Sequence, residues 1–235
     1  MTPIAFTRPI ILAGGGALDR ESLAMAQDTL GADAPIVAAD GAADRLAALE
    51  ATPRLIVGDL DSIADPAAWR AAGVEVRHLA EQDTTDFEKC LYSTAAPAYL
   101  GVGFTGRRLD HTLAVLNTLF ARRHQRVVLI GEEEIVFHLG AGQRLALTVA
   151  AGETVSLFPL APVRCRPSAG LVWPLDGLTL APGRQVGTSN RAIGGDLVVE
   201  VEDDGTIVML PRRLIGQVLG VPASTAEKGI DRVAE

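Results

Sequence analysis

Aspartates recur at one kind of position along this chain. Asp40 follows the apolar run Pro35–Ala39, and Asp59 and Asp61 follow Leu55–Val57 within Gly58-Asp59-Leu60-Asp61-Ser62. Asp83 and Asp86 open a later helical pattern, and Asp110 opens the next. In open α/β sheets, ligands bind beyond the carboxyl ends of the strands, so these carboxylates are expected to converge on one rim. Two carboxylates about 4 Å apart repel by ~4 kcal/mol at an effective dielectric near 20. Such a rim must therefore hold a proton, a cation or a basic side chain. An all-oxygen ligand set suits Mg²⁺, which takes one or two carboxylates together with substrate phosphates. Arg107-Arg108 beside Asp110 offers bidentate donors to phosphate, or else a plain surface pair.

Each motif also has a purely structural reading. Gly14-Gly15-Gly16 after an apolar run can cradle phosphate with backbone N–H groups, or simply make a tight turn, since no full glycine-rich nucleotide signature is present. Asp40-Gly41 reads equally as a helix N-cap followed by a turn glycine. Thr85 and Glu88 have capping-box spacing, which leaves Gln82-Asp83-Thr84 unexplained. Asp110-His111 lies in a first helical turn, where an acid suits the helix dipole. The i, i+2 pair Asp59/Asp61, placed straight after an apolar strand, is the hardest to assign to a solvated loop. His78, His124 and His138 are scattered and read as ordinary surface or core residues, and Cys90 as helix packing.

The elements that must position these groups follow from hydrophobic patterning. Ile10–Ala13, Pro35–Ala39, Leu55–Val57, Val74–Arg77, Tyr99–Phe104 and Val127–Ile130 are short apolar strands that alternate with helical patterns. Leu23, Ala26 and Leu30 share one helix face; Phe87 and Leu91 mark another, and Leu113, Leu116 and Phe120 a third. Continuous Val/Ile/Leu strands suit a parallel sheet covered on both faces. Beyond Gly131 the helical period fades. Short alternating segments follow at Ile135–Leu139, Arg144–Val149, Thr154–Phe158, Gly170–Trp173, Leu197–Val201 and Ile207–Leu210, and Asp203-Asp204-Gly205 is a hairpin-turn signal. The expected fold is thus an α/β N-terminal domain with a mostly parallel open sheet (residues 1–135), a smaller all-β C-terminal sandwich (140–213) and a tail (214–235).

Composition narrows the function classes. Of 235 residues, 48% are hydrophobic and 21% charged, which excludes a wholly disordered chain. No apolar run approaches the ~20 residues of a membrane span, and the opening residues make a poor signal peptide. With 21 basic against 29 acidic residues the net charge is −8, and no basic stripe with interleaved aromatics argues for nucleic acid. Cys90 and Cys165 have neither disulfide-framework nor zinc spacing, so a reducing cytoplasm is the expected compartment.

Taken together, Ala39-Asp40-Gly41-Ala42, Gly58-Asp59-Leu60-Asp61-Ser62, Gln82-Asp83-Thr84-Thr85-Asp86 and Gly106-Arg107-Arg108-Leu109-Asp110-His111 resemble the thiamin pyrophosphokinase family in order and spacing. In the second half, Gly170-Leu171-Val172-Trp173 and Gly187-Thr188-Ser189-Asn190 look like that family's substrate-binding segments. The resemblance implies an α/β domain, a β-sandwich, and a homodimer with active sites between subunits. It implies transfer of the pyrophosphoryl group of ATP to thiamin, giving thiamin diphosphate and AMP, with Mg²⁺. Residue by residue, it implies that Asp59, Asp61 and Asp86 hold Mg²⁺ and phosphates, with Asp40 lining the same site. Gln82, Thr85, Arg108, Asp110 and His111 would serve the nucleotide and its phosphates, and Trp173, Ser189 and Asn190 would receive thiamin. Many relatives carry glycine where this chain has Arg107, a departure that either reshapes the loop or adds a phosphate donor.

Two rival readings remain at this stage. Asp59-Leu60-Asp61-Ser62-Ile63 resembles the nucleophile loop of phosphohydrolases that form an aspartyl-phosphate. That family expects Thr or Val at Ile63 and a downstream lysine, and the only lysine between Asp61 and Gly131 is Lys89, inside a predicted helix. The other rival is a non-catalytic module that binds nucleotide or thiamin.

Overall fold

A computed structural model describes residues 2–220. The first half runs β1 (Ile4–Ala5), β2 (Ile10–Ala13), α1 (Arg20–Leu30), β3 (Ile36–Ala39), α2 (Ala42–Ala48), β4 (Leu55–Gly58), α3 (Pro66–Ala71), β5 (Glu75–His78), α4 (Asp86–Ser93), β6 (Thr94–Ala95), β7 (Tyr99–Val102), α5 (Leu109–Ala121) and β8 (Val127–Ile130). Successive strand residues face opposite sides of the sheet, and both sides of β2, β3, β4, β7 and β8 are covered, so these strands are buried and apolar throughout, whereas the edge strand β5 carries Glu75, Arg77 and His78. Ile11, Ala38, Ile56 and Leu100 pack with Leu23, Ala26 and Leu46 of α1 and α2. Leu12, Val37, Val57 and Tyr99 pack with Phe87, Leu91, Val115 and Leu119 of α4 and α5. The parallel strands lie in the order β8-β7-β2-β3-β4-β5. The chain steps outward from β2 to β5 and then returns across β2 to β7. The order therefore reverses between β2 and β7, where open α/β sheets leave a crevice.

The second half is β9 (Glu134–Leu139), β10 (Arg144–Val149), β11 (Thr154–Pro159), β12 (Val163–Arg164), β13 (Thr179–Leu180), β14 (Gly187–Arg191), β15 (Gly195–Glu200) and β16 (Thr206–Pro211), then a 3₁₀ turn at Arg212–Leu214 and α6 (Ile215–Leu219). β9 pairs antiparallel with β8, and β16, β11 and β14 extend the same sheet, so ten strands run without a break across both halves. β10 and β15 form the opposing layer. Leu145, Leu147 and Val149 of β10 are buried while Arg144, Ala146 and Thr148 face solvent, the period-two pattern of a half-covered sheet. Val155, Leu157 and Val208 meet Leu147, Leu197 and Val199 between the layers, in the same core that lies beneath α1 and α2.

Four features differ from the sequence expectations. Gly170–Trp173 is irregular and touches the sheet through a single bridge, Leu171 to Ala192; Gly170 sits at φ +79, outside strand geometry. Gly187–Arg191, polar and largely exposed, is a strand at the sheet edge. Asp203-Asp204-Gly205 does not close a hairpin, because β15 pairs with β10 while β16 lies between β9 and β11. The turn carries the chain from one layer to the other, with Arg164 N–H donating to Asp203 and Ala141 N–H to Asp204. After residue 214 the chain is first a packed helix, with Ile215 and Leu219 buried; the rest of the expected tail lies outside the described residues. Among the described residues no helix is long and apolar enough to cross a membrane.

Candidate active site

The acidic rim is built by two loops pressed together at the carboxyl ends of β3 and β4. A Cβ on Gly58 would lie 2.6 Å from Asp40 Cβ, and one on Gly41 would lie 2.7 Å from the Ser62 carbonyl oxygen. Glycine at both positions is what lets the loops touch. Asp40 (φ +45) and Leu60 (φ +65) adopt left-handed backbone that costs a non-glycine residue of order 1–3 kcal/mol and is characteristic of functional loops. Leu60 tucks its side chain against the core, which turns Asp59 and Asp61 outward together. Asp40 does not cap α2. Its carboxylate reaches the other loop, where Oδ2 accepts the Ser62 N–H at 3.1 Å. Asp40 is only 2% exposed, and its Oδ1 is buried without a hydrogen-bond partner.

One oxygen from each of Asp40, Asp59 and Asp61 lies within 4.8 Å of the others. Burial holds the Asp40 carboxyl above the usual aspartate range, and the charges of Asp86 and Asp59 push it the same way. Asp86 is also raised, chiefly by burial, with Lys89 opposing. Asp59 is lowered, first by the hydrogen bond from Gln82 and further by Lys89. A buried carboxylate oxygen with no donor, beside two further carboxylates, is a hard all-oxygen donor set of the kind Mg²⁺ accepts.

The segment before α4 supplies the donors. Glu81 folds it by accepting the N–H groups of Asp83 and Thr84 and the hydroxyls of Thr84 and Tyr92, which holds the Glu81 carboxyl down to about 2. The fold of this loop presents Gln82, whose Nε2 donates to Asp59 Oδ2 at 2.7 Å. Thr85 caps α4 by accepting the Glu88 N–H. The capping box is one-sided, because the Glu88 carboxylate turns to Arg122 at 2.9 Å. One turn into α4, Lys89 places Nζ 3.6 Å from Asp86 Oδ1 and 3.8 Å from Asp59 Oδ2, so its helical position brings it onto the rim.

The crevice flank is arranged differently. Gly14 and Gly16 donate their N–H groups to the carbonyls of Val102 and Gly103, and a Cβ on either would lie 2.6 Å from the Gly103 oxygen. These glycines serve close packing of the β2 and β7 loops, with their amides already used. Arg45 of α2 fastens the same loop by donating to the Gly16 carbonyl at 2.9 Å. Arg107 takes φ +56, the conformation that glycine supplies most easily, so the loop keeps a glycine-like shape and the long side chain stays exposed. Arg108 forks onto Asp110 through bonds of 3.1 and 2.5 Å, which holds the Asp110 carboxyl down to about 2. Both side chains are exposed, as is His111. β7 and β4 are three strands apart, about 14 Å at ~4.8 Å per strand, so this group faces the acidic rim across the crevice without touching it.

Trp173 stands at the far edge of the sheet, 58% exposed. Asn190 of β14 is buried and spends its amide on the tryptophan backbone: Oδ1 accepts the Trp173 N–H at 3.2 Å, and Nδ2 donates to the Trp173 carbonyl at 2.6 Å. Ser189 (φ +60) is exposed, its N–H bound to Ser156 Oγ. The structure thus joins Asp40, Asp59, Asp61, Asp86 and Gln82 in one cluster, puts Arg108, Asp110 and His111 on the opposite flank, and sets Trp173, Ser189 and Asn190 eight strands from β4. Lys89, Glu81 and Arg45 are contributors that sequence reasoning did not select. The spacing of Lys89 from Asp86 (i, i+3) was the one available signal for the first of these.

Comparison with known proteins fits this geometry. The profile "Thiamin pyrophosphokinase, catalytic domain" matches residues 27–130, and "Thiamin pyrophosphokinase, vitamin B1 binding domain" matches residues 143–208. Thiamine pyrophosphokinase 3 of Oryza sativa subsp. japonica is 26% identical over 172 residues, covering 66% of this chain and 64% of the relative. Thiamine pyrophosphokinase 2 of Arabidopsis thaliana is 28% identical over 170 residues, covering 65% and 63%. The chain therefore spans just under two thirds of the length of these curated relatives. In fold, it superposes on thiamin pyrophosphokinase from Candida albicans with a TM-score of 0.73 at 19% identity, covering 89% of this chain and 93% of that one. The enzyme from Geobacillus thermodenitrificans gives 0.70 at 21%, covering 86% and 96%. Two adjoining profile matches take in most of the sequence, on a fold shared with solved relatives: the chain belongs to the thiamin pyrophosphokinase family.

Proposed function

We propose that this chain transfers the pyrophosphoryl group of ATP to thiamin, releasing AMP and forming thiamin diphosphate, with Mg²⁺ as the resident cation. The observation that carries this reading is the group of Asp40, Asp59 and Asp61, whose oxygens approach within 4.8 Å around a buried, partnerless Asp40 oxygen. These three, with Asp86 beside them, would hold the ion. When bound, it neutralises the carboxylates and the charge on the triphosphate. Gln82 fixes the Asp59 carboxylate, and Thr85 fixes the start of α4. Arg108, Asp110 and His111 line the nucleotide side of the crevice, where the Arg108 guanidinium can leave Asp110 for a phosphate at little cost, because exposed ion pairs are weak. The thiamin hydroxyethyl oxygen bonds to the β-phosphorus and gives up its proton to solvent, while the bond from that phosphorus to the α,β-bridging oxygen breaks and its electron pair leaves with AMP. Such a transfer asks the protein mainly for alignment and charge placement.

Trp173 would stack on the cationic thiazolium, a contact worth on the order of 1–2 kcal/mol, with Asn190 holding the ring's backbone and Ser189 beside it. From β14 to β4 is about 38 Å along the sheet at ~4.8 Å per strand, far more than the length of thiamin. This separation supports a homodimer in which the tryptophan edge of one copy serves the acidic rim of the other. Exposed Leu109 and Leu113 of α5, and Val172 and Ile193 near Trp173, provide apolar surface for such a pairing. The two cysteines are free and buried, which supports a reducing, cytoplasmic setting. Mass spectrometry of the protein incubated with ATP, Mg²⁺ and thiamin tests the reaction. AMP and thiamin diphosphate are expected; ADP and thiamin monophosphate would contradict it.

A further inference from the structure

Lys89 is the charged residue of the rim whose task the reaction does not define. Its side chain is 2% exposed, and an ammonium taken so far from water needs anions beside it. Its two partners come from different elements: Asp59 from the loop after β4, and Asp86 from the first turn of α4. Asp59 Oδ2 faces Lys89 and also accepts from Gln82, while Asp59 Oδ1 faces the Asp61 backbone N–H at 3.4 Å. Asp59 Oδ2 is thus committed to Lys89 and Gln82, whereas Oδ1 has only the long contact with the Asp61 N–H. Enclosure also keeps Nζ from meeting a phosphate that enters from solvent, so the amine is not placed as a substrate ligand.

The geometry points to Lys89 as a positioning residue: a built-in counter-cation that ties the β4 loop to α4, holds the rim carboxylates together before a divalent ion arrives, and leaves their remaining oxygens for that ion. This deepens the proposed function and rests on it for the ion, but not for either substrate. Removing the ammonium leaves four carboxylates (Asp40, Asp59, Asp61 and Asp86) without it, and a divalent cation should then replace the missing charge.

Thermal unfolding of the full chain, with and without millimolar Mg²⁺ and with no nucleotide or thiamin, tests this. Lys89→Met keeps the flexible stem and removes the charge. Its Tm should fall in metal-free buffer, and Mg²⁺ should raise that Tm by about twofold or more over the rise seen in the wild type. Equal Mg²⁺-induced rises in the two proteins would overturn the proposal, since a packing role lowers both curves alike. So would an unchanged metal-free Tm accompanied by a loss of kcat, which would make Lys89 a ligand of the reacting groups. Asp86→Asn combined with Lys89→Met provides an arm free of metal. Removing the stranded carboxylate should restore most of the lost stability, whereas additive losses would overturn the proposal. If Lys89→Met does not fold, folding of the double variant supports the proposal and its failure to fold contradicts it. If Mg²⁺ shifts no variant, the resident ion of the proposed function falls, and the metal-free cycle still decides Lys89.

Discussion

The two ends of the ten-stranded sheet carry opposite kinds of surface. At β3 and β4 the chain buries charge: Asp40 and Lys89 are each 2% exposed, two backbone positions are left-handed, and paired glycines bring the loops into contact. At β14 the chain exposes an aromatic, with Trp173 58% open and its backbone pinned by one buried asparagine. Burial at the first end lowers the local dielectric and strengthens every charge interaction there, which a site for a cation and a triphosphate requires. Exposure at the second leaves a flat ring available to a ligand or to another chain. The first end gathers three carboxylates from one chain's own loops, while the second leaves its ring open to solvent.

This contrast predicts unequal sensitivity to substitution. At the buried end, Asp61→Asn removes one of three clustered carboxylates and should cut kcat by on the order of 10²–10³-fold, while circular dichroism and Tm stay at wild-type values. A loss smaller than tenfold would remove Asp61 from the ion site. At the exposed end, Trp173→Ala should raise the KM for thiamin about 5- to 30-fold, the equivalent of 1–2 kcal/mol, with the KM for ATP unchanged. Equal effects on both substrates would mean the tryptophan supports the fold instead of receiving thiamin. The smallest effect is expected in the loop that presents Gln82. The Glu81 carboxyl is held down to about 2 from an ordinary 4.5, so its tie to Thr84 and Tyr92 is fully present above the ordinary value and is lost as pH falls through about 2. The difference in Tm between wild type and Glu81→Gln should be open at pH 7 and close over that interval; a constant difference would contradict the assignment.

Much of this was legible in the sequence, for identifiable reasons. A strand buried on both faces must be apolar along its length, so Ile10–Ala13, Leu55–Val57 and Val127–Ile130 declare themselves, and acids placed straight after such runs fall on the carboxyl rim. The Asp59/Asp61 pair stood out on its spacing alone, whereas Asp40 read equally as a helix cap until its carboxylate was seen to reach Ser62. Lys89 did not stand out, because its burial arises only when the β4 loop closes over the start of α4. Glu81 was hidden for a similar reason: its partners are two local amides and a tyrosine one helix away. Gly170-Leu171-Val172-Trp173 has the composition of a strand, yet Gly170 takes a left-handed turn and Val172 and Trp173 face solvent. Asp203-Asp204-Gly205 announces a turn but not which strands it joins, and here those strands belong to different layers.

Subunit complementation tests most directly whether the two ends form one active site across two chains. On the proposed homodimer, Asp61→Asn and Trp173→Ala chains, unfolded together in equal amounts, refolded and assayed at low thiamin, should recover about a quarter of wild-type activity, because half of such dimers would contain one site with both native residues. If each chain instead uses its own tryptophan, the mixture should show only about one twentieth, the residual activity of the Trp173→Ala sites alone, and the shared-site account would be wrong.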